Sequence, residues 1–158
     1  MSVKNALFAI DGAANGVYIG RIMEDCGRGA VSFHDLGVAA MCLESACEAD
    51  KSPSLSVKKR HFLDVGPEND SMRGHRAVRR RSFMKDMQES GPRGDLGTFL
   101  VCVQHRDNGS WQGRVTWLEQ GRTVNFRSVW EMVQLIDEAI RGVAVPDVTW
   151  DRSVPENK

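Results

Sequence analysis

TFLVCVQHRDNGSWQGRVTWLEQGRTVNFRSVWEMVQLIDEAIR, residues 98–141, is the stretch whose patterning decides the fold. Phe99, Val101 and Val103 alternate with Leu100, Cys102 and Gln104, a period of two that specifies a strand apolar on both sides over its first half. Arg106-Asp107-Asn108-Gly109 follows, and Asn-Gly between apolar runs marks a tight hairpin. A second strand sets Trp111, Gly113, Val115 and Trp117 on one face and Gln112, Arg114 and Thr116 on the other. Glu119-Gln120-Gly121 turns the chain again. The third strand places Val124 and Phe126 on the apolar face and Thr123, Asn125 and Arg127 on the polar one.

Ser128-Val129-Trp130-Glu131 has the S-x-x-E form of a capping box, in which the Ser128 hydroxyl accepts from a free amide and Glu131 reaches back to the Ser128 amide. Behind it Val129, Met132, Val133, Ile136, Ala139 and Ile140 recur at helical spacing, one stripe to lay on the sheet, and Arg141-Gly142 is a stop. The reading is a βββα unit.

Trp111-Gln112-Gly113, Val115, Trp117, Phe126-Arg127-Ser128, Glu131 and Leu135-Ile136 resemble a motif of small, uncharacterised bacterial proteins, over roughly a quarter of the chain. That resemblance carries no activity. A G-x-aromatic-x-G strand followed by a helix ending in acidic-Ala-Ile is also similar to the βββα half of HicB-like antitoxins, although their proline-rich strand end is absent.

Shifted by 93 positions, Asn5–Glu48 lies over Thr98–Arg141 without a gap. Eight aligned positions are identical: Leu7, Asn15, Gly16, Gly20, Arg21, Val31, Phe33 and Ala46. Most are turn residues or sheet-face apolars. Asp35 falls on Ser128, both good helix caps. The expectation is an α+β fold made of a duplicated βββα unit, each an antiparallel three-stranded sheet covered by a helix, the copies related by a pseudo-two-fold. One unit alone buries too little surface to stand by itself. The first helix is lined by Leu36, Ala39, Ala40, Leu43 and Ala46, small enough for close approach.

Between the copies (residues 1–48 and 98–141) runs a basic connection, residues 49–97. Its Val57–Val65 reads as one extra strand and Arg76–Gln88 as a short helix, ended by Gly91-Pro92. From Lys58 to Lys85 there are nine Lys or Arg against three acids, with Arg79-Arg80-Arg81 the densest run. Closely spaced arginines suit either a solvated face or an arm that contacts phosphates. Residues 142–158 read as a short extended segment and a polar tail.

The chain of 158 residues has 21 acidic and 21 basic side chains, so no overall field draws it to nucleic acid or membrane. No apolar run has membrane-spanning length, and the first residues read as no signal peptide. Cys26, Cys42, Cys47 and Cys102 lack C-x-x-C spacing and suggest a reducing, cytoplasmic setting with no metal site and no cofactor.

Asp11-Gly12-Ala13-Ala14-Asn15-Gly16 lacks the ending of a phosphate loop and reads as a hairpin. Resemblance to an RNase H-like nuclease, which begins with three strands, a helix and a fourth strand, would place metal-binding acids at Asp11, Glu44 or Glu48, and Asp64. The residues favour instead a non-enzymatic binding module whose partner is another protein. Its candidate surfaces are the polar sheet face (Arg21, Gln112, Arg114, Arg127), Trp130, and the arginine arm (Arg76, Arg79, Arg80, Arg81). The alternative is an antitoxin-like nucleic-acid-binding regulator using Arg76–Lys85.

Overall fold

The computed structural model of the chain describes residues 3–25, 29–57, 60–63 and 77–143, with residues 77–82 and Val143 described as backbone alone. Among the described residues the order is β1 (Lys4–Ala14), β2 (Val17–Glu24), β3 (Val31–Phe33), α1 (Leu36–Asp50), α2 (Ala77–Ser90), β4 (Gly97–His105), β5 (Gln112–Trp117), β6 (Arg122–Phe126) and α3 (Val129–Val143). The fold is α+β, with one antiparallel six-stranded sheet ordered β3-β2-β1-β4-β5-β6.

The two hairpins are set by left-handed residues. Asn15 and Gly16 take φ of 53° and 75°, and Asn108 and Gly109 take 54° and 72°. Two consecutive residues at positive φ match the twist of the flanking strands, which is why Asn-Gly occupies both turns. A bulge interrupts β1–β2 pairing between Ile10 and Gly12, and another interrupts β4–β5 between Val103 and His105.

The sheet centre is the β1–β4 pair, in register from Lys4 opposite Val103 to Ile10 opposite Gly97, with Leu7 facing Leu100. Ala6, Phe8 and Ile10 with Phe99, Val101 and Val103 face one core that includes Ala39, Leu43 and Cys47 of α1 and Met132, Ile136 and Ile140 of α3. Phe33 and Phe126 fill its flanks and are fully buried. Both are tied to a glycine: a Cβ on Gly20 would stand 2.1 Å from the Ala9 carbonyl oxygen and 3.0 Å from the Phe33 ring. On Gly113 it would stand 2.0 Å from the Cys102 carbonyl oxygen and 3.1 Å from Phe126. On the opposite face Leu7, Ala9, Thr98, Leu100 and Cys102 are buried too, and α2 packs against β1.

Local caps begin the two long helices. Asp35 caps α1 through a short bond from the Gly37 amide. The Ser128 hydroxyl accepts from the Glu131 amide at 3.1 Å, as the capping box requires. The return bond differs from expectation: the Glu131 carboxylate takes the Arg127 amide at 2.6 Å, not that of Ser128, and it also holds the Arg127 guanidinium. That second, charged partner draws it one residue outward.

The extra strand expected at 57–65 is absent among its described residues. Val57 and Arg60–Leu63 are irregular, Phe62 and Leu63 stand exposed, and the only pairing nearby is an isolated bridge of Leu55 with Arg106. β2 and β4 already occupy both sides of β1, so no central place is open. The run itself offers no apolar face for an edge, since Lys59 and His61 interrupt one alternate set and Lys58, Arg60 and Asp64 the other. The short helix expected at 76–88 is found as α2, Ala77–Ser90.

Candidate binding cleft

Arg106 stands at the end of β4 and is only 2% exposed. Its Nη1 donates to the Pro53 carbonyl at 3.0 Å, and its Nη2 donates to Glu44 at 2.6 Å and to Glu48. Burial opposes the charge on Arg106, and the two carboxylates outweigh it, leaving its pKa raised. Glu44 is shared, since its second oxygen accepts from the Trp111 indole at 2.6 Å. Helix α1 is thereby fastened to the β4–β5 hairpin and to the loop after it.

This network floors a cleft of about 720 Å³ between α1, the residues Leu55, Val57 and Arg60, and the β4–β5 turn. Met41, Leu55, Val57 and Val129 supply apolar walls, and Arg60 adds a charge. Met41 on α1 is 71% exposed, and Trp130, one residue beyond Val129 on α3, is 69% exposed. Trp130 belongs to the surface, not to the junction between helices.

A related contact joins the other pair of elements. The hydroxyl of Tyr18 on β2 donates to Asp137 of α3 at 2.6 Å, and the Arg141 guanidinium holds the same carboxylate at 3.1 Å. Burial, then the Asp137 hydrogen bond, raise the Tyr18 pKa above its ordinary 10.0.

A second polar cluster anchors the start of β1. The Lys4 ammonium is fully buried and meets Glu24 at 2.9 Å, Asp25 at 3.0 Å and Asp50 at 2.6 Å. Asp25 also accepts from the Asn5 amide at 2.9 Å and its side chain at 3.2 Å. One ammonium against three carboxylates ties the first strand to the end of β2 and to the last turn of α1, a structural assignment that the paired hydrogen bonds support.

The residues singled out from sequence divide among several places. Arg21 donates to Asp11 through two nitrogens at 2.8 and 2.9 Å and to the Arg93 carbonyl at 3.1 Å, so it fixes the bulge of β1 and the end of the α2 connection. Gln112 clamps the hairpin, accepting from the Asp107 amide at 3.0 Å and donating to the Asp107 and Arg127 carbonyls at 3.1 and 3.3 Å. Arg127 is paired with Glu131. Arg114 is exposed on this face, beside Cys102, whose thiol burial pushes up and Arg114 pulls down. Arg79, Arg80 and Arg81 fall on α2, and Arg76 and Asp64 lie outside the described residues.

Asp11 and Glu44 are not brought together: one is held by Arg21, the other by Arg106 and Trp111. Among the described residues no group of His, Cys, Asp or Glu is arranged to hold a metal ion. Sequence reasoning missed Arg106, Trp111 with Glu44, Tyr18 with Asp137, and Lys4. Each has a partner 46 or more positions away, which local patterning does not register.

The fold and these contacts define a small α+β protein with one antiparallel sheet, two helices over one face and a cleft between the middle of α1, the first residue of α3 and the β4–β5 turn. No protein-family model, curated protein or solved structure matches this chain. Among the described residues no helix is long and apolar enough to cross a membrane.

Proposed function

We propose that the chain is a duplicated βββα unit whose copies, related by a pseudo-two-fold, form a small non-enzymatic binding module for another protein. The duplication is supported by the contacts that recur at the same offset as the sequence repeat. Helices α1 and α3 begin and end 93 residues apart, and the two hairpin turns, the two bulges and the Gly20–Phe33 and Gly113–Phe126 pairs follow the same shift. Equivalent residues Leu7 and Leu100 face each other, as a two-fold through the β1–β4 pair requires. The Trp111–Glu44 and Tyr18–Asp137 bonds are reciprocal, each joining an aromatic of one unit to the equivalent acid on the other's helix.

The binding reading rests on one observation: Met41 stands exposed in the lining of a cleft whose polar floor is already fixed by Arg106, Glu44 and Trp111, and the exposed Trp130 follows directly on Val129, which lines the same cleft. A fixed floor with apolar walls is the form of a pre-organised recognition site, and large exposed apolar side chains concentrate at interfaces. Among the described residues the thiols of Cys42, Cys47 and Cys102 are unpaired, which supports a reducing, cytoplasmic setting. The alternative, an antitoxin-like regulator that binds nucleic acid through Arg76–Lys85, draws on Arg79, Arg80 and Arg81 sharing the helix α2. Pull-down from native lysate, with and without nuclease, separates the two. The protein-binding reading expects a partner retained after nuclease and lost from Met41→Asp and Trp130→Asp; capture that disappears with nuclease refutes it.

A further inference from the structure

Among the described residues, strand β6 is the longer free edge of the sheet. The order places β3 and β6 at the two ends, and β3 has three residues while β6 has five. Each edge strand leaves alternate amides and carbonyls without a strand partner, and proteins blunt such edges with short strands, charges, prolines or bulges. Shortness blunts β3. Nothing of the kind blunts β6: Arg122-Thr123-Val124-Asn125-Phe126 has one charge, at its first position, and its β5 pairing runs without a bulge. Arg122, Thr123, Val124 and Asn125 are exposed.

Beside this edge lies a groove of about 330 Å³, between β6 and the C-terminal half of α3. Val115, Trp117, Val124, Leu135 and Ala139 line it. A bare edge asks for an extended strand, and an apolar groove beneath it asks for an apolar side chain on the same face.

We infer that β6 is a dimerisation edge, which pairs antiparallel with β6 of a second copy of this chain about a two-fold through Val124. Three features favour a second copy. Centred on Val124, the pairing uses all five residues, with Thr123 opposite the partner's Asn125 and Val124 opposite the partner's Val124. Val124 faces the helix side with Val115, so the two-fold puts both copies' helices on one side and extends the apolar face across the junction. The chain carries no net charge, so nothing at long range holds two copies apart. A self-complementary contact of this kind closes as a dimer, and the short β3 edge keeps it from growing into a filament. The inference is independent of the partner-protein reading, whose cleft lies at the other end of α3.

Sedimentation of the full chain from micromolar to sub-millimolar concentration tests it. The expected result is a particle of twice the chain mass, reduced to the chain mass by Val124→Lys with an unchanged circular-dichroism spectrum. Val124→Cys supplies a second variant at an exposed position, and directly opposed Cβ atoms in an antiparallel pair lie roughly 4.5–5.5 Å apart, within reach of a disulfide. Mild oxidation should convert it to a disulfide-linked dimer, while Asn125→Cys, opposed to Thr123, stays unlinked. A wild-type monomer over the whole range overturns the inference. So does a dimer that survives Val124→Lys, or one in which Val124→Cys fails to link.

Discussion

Replacing Arg106 with Met removes the charge that fastens α1 to the β4–β5 hairpin while keeping an apolar stem of similar length in its place. Breaking a fully buried ion pair by deleting one partner costs about 3–5 kcal/mol, chiefly because the remaining charge is left in a poor medium. Here the remaining charges are not fully buried: the Glu44 side chain is 24% exposed and that of Glu48 41%. Water reaches both, so the orphaned-charge term shrinks. The Pro53 carbonyl also loses a charged donor, a bond in the range of about 1.5–3 kcal/mol. The Met side chain returns some packing. The expected net loss is about 2–3 kcal/mol, read from urea melts at constant m. Glu48→Gln, at the exposed end of the same network, should lose less than about 1 kcal/mol. Arg106→Met with Glu44→Leu should lose less than the sum of the two single changes, since it leaves fewer uncompensated groups. If Arg106→Met is no more destabilising than Glu48→Gln, the network is a surface ornament and the account of the cleft floor is wrong.

Three further outcomes follow from the packing. Gly113→Ala should destabilise by about 3 kcal/mol or more, because its Cβ meets the Cys102 carbonyl oxygen and backbone cannot yield; Gly142→Ala, helical with open space around it, should stabilise by about 0.5–1 kcal/mol in the same melts. Tyr18 is the sole tyrosine, so absorbance titration reads it alone: its midpoint should lie above 10.0 and fall in Asp137→Ala. A raised folded pKa means that its contribution to stability is complete below the unfolded value and lost as pH rises through the folded one, so this contact weakens only in alkali. Cys47, which burial pushes up to about 12, should resist thiol reagents at pH 8 until the chain unfolds; rapid labelling would mean that α1 does not seal the core.

Much of this architecture was legible because it is local. Asn-Gly between apolar runs specified both hairpins, and the stripe from Met132 to Ile140 specified the buried face of α3. The glycines at 20 and 113 stood out as repeat positions, although only the structure gives the reason, a ring packed over each. What misled was equally local. Val57 to Val65 has strand-like composition, yet the sheet has no central vacancy for it, and that is a property of the whole topology. Trp130 was read as a candidate surface residue, and its exposure follows from Met132 and Ile136 pointing the other way. The candidate site was the least legible part. Arg106 opens what reads as a turn, Lys4 lies just before the repeated stretch that begins at Asn5, and each has a partner far along the chain. Arg21 and Gln112, read as part of a polar binding face, serve the fold by clamping a bulge and a hairpin.

The protein-binding account is tested most directly by photo-cross-linking in the native host, with a light-activated residue placed in turn at Met41, Trp130 and, as a control on the opposite sheet face, Arg114. The account predicts one protein partner captured from positions 41 and 130, unchanged by nuclease, and little or none from position 114. Capture from 114 alone, or products from all three that are nucleic acid, would contradict it.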